Sequence, residues 1–370
     1  MGHILLLFRM PKGKPWLLGN EFGKSASILC TAVVRISPLR WVSYMKNLSV
    51  YLFLMLALPV AHTSFGQTSA APEGRKAAAS RHNRGLSMNQ VGIFLRCTGR
   101  TDPREALEAV KSLGLNMVQI SKLPDRFYTP EGAEEFRGLL RETGIHASAV
   151  VVVFDGESYK DQDAVRATVG FAPANLMEAR LAYTRKCIDF ASALGIRIIT
   201  FHVGFIPSDV GDPTYKRMLN AVTELAAYAA KRGVTISLET GQESGEELLH
   251  FISQITVARV CVNFDTANLV LYGKDDPPRA LRTLLGRVTS VHLKDGMLPA
   301  NPSQLGQEVR LGEGKAQVKE CLRILQESNF RGPLVIENYV WRGGTDPLDE
   351  LRTARDFIRE TLAELPERGS

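Results

Sequence analysis

The chain has little that would cross-link it. Five of its 370 residues are cysteines: Cys30, Cys97, Cys187, Cys261 and Cys321. No two are spaced as CxxC, which excludes a zinc knuckle and a dithiol redox pair. Cys97 and Cys261 sit in apolar runs and read as buried thiols. Histidine is also scarce, seven in all, and His3, His62 and His82 fall ahead of the main body. That leaves too few for a cluster of several zinc ions. No GxGxxG turn is present, which removes the usual argument for a dinucleotide-binding open sheet. The conspicuous apolar run, LSVYLFLMLALPVA at residues 48–61, is shorter than the roughly 20 residues a spanning helix needs.

Beyond its first residues the chain also lacks an excess of charge. The formal net charge is +6, and residues 1–66 hold seven Lys/Arg against one acid. The remainder is therefore balanced, and nucleic acid loses its electrostatic footing as a partner. A basic start at Met45-Lys46, the apolar run and the small-residue stretch HTSFGQTSAAP describe a secretory signal peptide over residues 45–70, cut between Gly66 and Ala71. On this reading residues 1–44 are a mis-assigned upstream extension, and residues 71–90 are a flexible linker rich in Ala, Ser, Gly and Arg. The product is periplasmic or secreted, with no stable membrane span after cleavage. The alternative is a membrane anchor through an uncleaved N-terminal segment.

From Val91 onward short apolar runs alternate with amphipathic segments. The runs are Val91–Leu95, Met117–Ser121, Ala147–Phe154, Ile198–Val203, Thr235–Glu239, Val260–Phe264, Thr289–Leu293 and Leu334–Glu337. They are rich in Val and Ile and mostly do not alternate, as parallel strands buried on both faces should be. Between them lie helical patterns at Pro103–Leu113, Gly132–Thr143, Asn175–Leu194, Pro213–Arg232, Gly245–Ile252, Pro278–Leu285, Lys315–Gln326 and Pro347–Leu362. Several end on a glycine stop, as at Leu194-Gly195. Eight such units predict a single-domain α/β fold, a (β/α)8 TIM barrel over residues 91–370, since this fold takes roughly 250 residues.

The active site of such a barrel forms where the strands' C-terminal ends meet. The fifth run ends on Glu239, the sixth delivers Asp265, the seventh His292 and the eighth Glu337. Four consecutive strands thus bring a metal-capable side chain to one rim. Taken singly, each acid would serve as well as a helix cap or a solvated loop residue. Together, three carboxylates and one imidazole form a hard donor set that suits one divalent ion, Mn2+ or Mg2+, with Co2+ or Zn2+ also compatible. Candidates for holding substrate are His202, Gln119, Asn268, Glu243, Lys294 and Trp341. Gln242 and Glu243 could instead orient Glu239, Lys294 could pair with a rim carboxylate, and Gly312-Glu313-Gly314 reads as a structural turn.

The segments SLETGQE, NFDTAN, VHLKDG, RLGEGKAQV and GPLVIENY, with their spacing, resemble the sugar phosphate isomerase/epimerase family within the xylose isomerase-like TIM barrel superfamily. The resemblance covers about residues 90–365. It implies that Glu239, Asp265, His292 and Glu337 hold the metal and that Glu239 and Glu337 also move a proton. The substrate would be a small carbohydrate, the metal would stabilise an enediolate, and the outcome would be isomerisation or epimerisation. Asn268 departs from the ketose 3-epimerase pattern, which places histidine there. A lyase that dehydrates a keto-sugar or keto-polyol is the alternative, and a non-catalytic sugar-binding protein of the envelope is a second. Self-association into a homo-oligomer is compatible with every one of these readings.

Overall fold

The computed structural model describes residues 85–366. The proposed leader, the upstream extension and most of the linker lie outside the described residues. Eight parallel strands close a barrel: β1 (Val91–Phe94), β2 (Met117–Ile120), β3 (His146–Val151), β4 (Ile198–Phe201), β5 (Thr235–Glu239), β6 (Cys261–Asp265), β7 (Val288–Leu293) and, after a short ladder, β10 (Leu334–Ile336). Around the ring the order is β1-β10-β7-β6-β5-β4-β3-β2. The ladder pairs β8 (Asp295–Gly296) antiparallel with β9 (Glu308–Val309). All eight predicted runs are barrel strands, and the absence of alternation has the expected cause: β1, β2, β6 and β10 are buried at every position.

The helices are α1 (Pro103–Ser112), α2 (Pro130–Thr143), α3 (Gln162–Thr168), α4 (Met177–Leu194), α5 (Pro213–Ala230), α6 (Gly245–Ser253), α7 (Asn268–Leu271), α8 (Pro277–Leu284), α9 (Val318–Glu327) and α10 (Pro347–Glu364). Four of them begin on an Asp-Pro pair. The carboxylates of Asp102, Asp212, Asp276 and Asp346 accept hydrogen bonds from N–H groups of the first turn, while proline occupies the position that needs no donor. Gly144 and Gly195 end α2 and α4 at φ of 71° and 77°, a region that L side chains resist.

The linker assignment needs correction at its end. Residues 85–90 lie against the barrel: Leu86 is buried in the core and its N–H donates to Gln326 Oε1 at 3.2 Å. The Gln90 side chain donates to the carbonyl of Gly332 at 3.0 Å. A single buried leucine among polar neighbours leaves no periodic signal, which is why the sequence hides this segment. Two short helices, α3 and α7, were also not legible, being too brief to show a period. No helix of the described residues is long and apolar enough to cross a membrane.

Candidate metal centre and substrate cavity

Alternation along a strand sends residues i and i+2 to the same face. Glu239 thus shares a face with Ser237, Asp265 with Asn263, and His292 with Ser290. Register sets them side by side: Asp265 is level with His292, and His292 with Val335, two residues before Glu337. Glu239, Asp265, His292 and Glu337 are buried, and each offers a ligand atom such that all four atoms lie within 4.8 Å of one another.

His292 is the hub. Its Nδ1 lies 3.1 Å from Glu239 Oε1, 2.8 Å from Glu337 Oε2 and 4.0 Å from Asp265 Oδ2. Its Nε2 lies 2.7 Å from Gln119 Oε1. An amide oxygen accepts, so Nε2 carries a proton and Nδ1 is aimed at the carboxylates. Phe94 stacks on the imidazole, with ring centroids 5.7 Å apart. Asp265 has a divided role. Its Oδ1 accepts from the N–H groups of Ala267 (2.8 Å) and Asn268 (2.7 Å) in the turn that leads into α7, while Oδ2 is buried without a hydrogen-bond partner.

The charges constrain one another. Burial opposes a charge on His292, but the adjoining Glu239 and Glu337 override it and push the imidazole up to about 10. Burial opposes ionisation of Glu239, yet His202 and His292 hold its carboxyl below the usual range. Glu337, against Lys294 and His292, is held lower still despite its burial. Asp265 goes the other way: burial, assisted by the two glutamates, pushes it up to about 8, and Lys294 opposes only in part. Three crowded carboxylates, a proton trapped on an imidazole and an orphaned Oδ2 are the signature of a donor set built for a cation. A divalent ion fits it.

Above the cluster opens a cavity of about 980 Å3. Of the four ligand candidates, Glu239 and Glu337 line it, whereas Asp265 and His292 lie beneath. His202, Asn268 and Lys294 line it as well. His202 Nε2 is 3.5 Å from Glu239 Oε1, and Lys294 Nζ is 3.4 Å from Glu337 Oε1. Asn268 Nδ2 donates to the Thr240 carbonyl at 3.2 Å and to Glu239 Oε1 at 3.4 Å.

Three of the expected substrate contacts do not line the cavity. Gln119 is fully buried and orients His292. Glu243 is buried and does not line the cavity. Trp341 is not a lining residue either, whereas its neighbours Tyr339 and Arg342 are. Gln242 bonds the Tyr272 hydroxyl at 3.3 Å rather than Glu239. Sequence reasoning missed Glu157 and Tyr159, which follow β3 and line the cavity near His202. Burial pushes the Glu157 carboxyl up, although the Gly170 N–H donates to it at 2.9 Å. Glu157 lies six residues past the end of β3, in a loop that no strand-end pattern marks.

Residues 107–361 match the family model described as xylose isomerase-like TIM barrel. A solved xylose isomerase domain protein from Planctomyces limnophilus is 33% identical, at a TM-score of 0.67 over 70% of this chain and 93% of that one. The inosose dehydratase of Clostridium botulinum is 27% identical over 202 residues, 46% of this chain and 67% of the relative. The D-psicose 3-epimerase of Enterocloster bolteae is 24% identical over 282 residues, 73% of this chain and 87% of the relative. The matches to inosose dehydratases span from about half to two thirds of their length.

Proposed function

Because the chain belongs to the xylose isomerase-like TIM barrel family, we propose that it is a divalent-metal-dependent isomerase or epimerase acting by proton transfer on a sugar or sugar-derived ketone. The observation that carries this reading is the division of labour within the cluster. Glu239 and Glu337 face the cavity, while Asp265 and His292 sit below them. The two glutamates come from β5 and the end of β10, which stand three places apart in the ring. They flank whatever lies over His292.

Glu239, Asp265, His292 and Glu337 would hold the ion. When bound, a divalent cation supplies Lewis-acid chemistry, drawing electron density from a substrate carbonyl and so acidifying the adjacent C–H. The chain's own residues do the rest. Both glutamates are held ionised by their cationic neighbours, so either carboxylate oxygen can take the proton from the carbon next to the carbonyl. For isomerisation the glutamate that took the proton returns it to the neighbouring carbon. For epimerisation the other glutamate first takes a proton from water and delivers it to the opposite face, and the first releases its own to water. Lys294 and His202 stand beside one glutamate each and can donate to substrate oxygens. Phe94 and Leu305 wall the cavity against water.

The test is deuterium exchange. The manganese-loaded chain is incubated in D2O with candidate ketoses and aldoses and followed by NMR. Solvent deuterium should enter at the carbon next to the carbonyl. Glu239→Gln and Glu337→Gln should each slow exchange by about 10^2 to 10^4, the usual worth of a general acid or base. Full exchange in both variants would overturn the reading. A second reading, dehydration of a keto-polyol, is favoured by the inosose dehydratases among the relatives and by Asn268 in place of histidine. It needs the same proton removed and then a β-hydroxyl expelled, so an unsaturated product in the same NMR experiment would select it. Export is proposed with the function, from the leader pattern at residues 45–70. N-terminal sequencing of the native protein tests it, and a mature start before residue 45 would refute it.

A further inference from the structure

Two lysine–carboxylate ion pairs lie in the lining of the cavity. Lys122 pairs with Asp155 at 2.5 Å, and Lys294 with Glu337 at 3.4 Å. Glu239 faces the metal cluster. Glu157 and Glu308 accept backbone hydrogen bonds from Gly170 and Tyr339, and Lys294 and Arg342 act on Glu308 without forming an ion pair with it. What remains is Arg96, Arg100 and Arg342, all lining the cavity and all exposed. None of the three has an ion pair among the described residues.

Lack of a partner is not the rule for this chain's arginines: Arg104, Arg185, Arg282, Arg323 and Arg352 on the outer helices and Arg310 after β9 each bind a carboxylate, whereas Arg166 lies over the Phe205 ring and Arg217 bonds Thr214. Nor does it reflect a basic surface, since the chain beyond residue 66 is balanced in charge. The three are also gathered on one side. Arg96 and Arg100 follow β1, Arg342 follows β10, and those strands are neighbours in the ring. Arg342 stacks over the Tyr339 ring at 4.1 Å, and Arg96 acts on the same phenol. Gly99, at a φ of 69°, is packed against Pro347 and close to Trp341, so the two loops share a seam.

We propose that this corner is a subsite for a terminal anionic group of the substrate, held by Arg96, Arg100 and Arg342. The inference rests on the proton-transfer reading for the position of the carbonyl end, over Glu239 and Glu337, and adds a substrate class: a sugar or polyol derivative carrying a carboxylate or phosphate at its far end. Guanidinium presents a planar fork of donors that matches both groups. At the mouth of a cavity such charges also draw anions in from solution. The cavity lies at the upper end of the usual range for small-molecule sites, about 300–1,000 Å3, so it has room for a hexose and the added group.

The test is calorimetric titration of the full chain, with and without manganese, using D-glucose, D-glucuronate and D-glucose 6-phosphate. At least one anionic probe should bind about tenfold or more tightly than glucose, and the stronger of the two identifies the group. The gap should narrow in about 0.5 M salt, because the arginines are exposed and screened. The double variant Arg96→Gln/Arg342→Gln should bring the ratio below about threefold, whereas Arg352→Gln, on the outer helix, should leave it intact. Equal binding of charged and neutral probes, no binding of either anion, or a ratio kept by the double variant would overturn the inference. If the double variant fails to fold, Arg100→Gln and the salt dependence decide it. Deuterium exchange reads the other claim separately. Exchange without anion preference removes the subsite alone. Arginine-dependent anion binding without exchange removes the proton-transfer reading alone.

Discussion

Glu243 is fully enclosed, and neither of its carboxyl oxygens has a hydrogen-bond donor. Burial pushes its carboxyl from an ordinary 4.5 up to about 8, with Glu247 adding to the rise. The folded chain therefore keeps this proton between pH 4.5 and 8, where the unfolded chain has lost it. The stability it contributes is complete below pH 4.5 and disappears as pH rises to 8. Glu243→Gln is neutral throughout. It should match the parent at pH 4 and exceed it at pH 9 by on the order of a few kcal/mol, as read from urea melts. No gain at pH 9 would show that the group escapes its burial. The same residue marks a limit of sequence reading. A glutamate four positions past Glu239 looks like a rim residue, and only packing reveals that it is buried outside the cavity lining. Gln119 is the converse case, a strand-end amide whose use depends on a histidine 173 residues along the chain.

At the scale of elements, the loop leaving β7 is tied to one side chain. The Asp295 carboxylate accepts from the N–H groups of Gly296, Gly312, Gly314 and Ala316 at 2.8 to 3.0 Å. This folds residues 295–316 back on themselves and delivers the chain to α9. Gly314 sits so close that a Cβ would come within 2.1 Å of Asp295 Oδ1. Asp295→Ala leaves these donors without their acceptor, and a buried donor left unpaired costs about 1–3 kcal/mol. The variant should lose at least about 2 kcal/mol in denaturant unfolding. Gly314→Ala should show a similar defect, and the double variant little more, because both break one cradle. Losses that simply add would mean that the two residues act independently. The Gly312-Glu313-Gly314 turn was legible as a turn, but its anchor was not. Asp295 adjoins Lys294 and reads in the sequence as another rim group.

At the scale of the whole molecule, the barrel concentrates buried negative charge at one end, and a cation should stabilise the fold. Ligands are deprotonated when they bind a metal, so His292, pushed up to about 10, and Asp265, pushed up to about 8, must give up protons to it. Affinity should then rise with pH through this range and weaken toward pH 6. At a concentration 100 times its Kd, an ion that binds only the folded state adds about 2.7 kcal/mol. Melting temperature measured with manganese or magnesium should therefore rise more at pH 8 than at pH 6, and chelator should reverse the gain. Equal shifts at the two pH values, or none, would count against the cluster as a metal centre.

Local physics carries much of this protein in plain view. Val- and Ile-rich runs of strand length recur eight times, and Asp-Pro helix starts and glycine stops punctuate several of the units, because each depends only on near neighbours along the chain; eight such units close into one barrel. The same rule placed Glu239, Asp265, His292 and Glu337 at strand ends, where this fold gathers its polar groups. Tertiary structure decided what each of them faces. It separated the two glutamates that reach the cavity from the aspartate and histidine beneath it. It also turned Gln119 into a support for His292, buried Glu243, and drew Arg96, Arg100 and Arg342 from opposite ends of the sequence to one corner. The reason is physical: direction and burial come from contacts between segments far apart in the chain, and no local pattern records them.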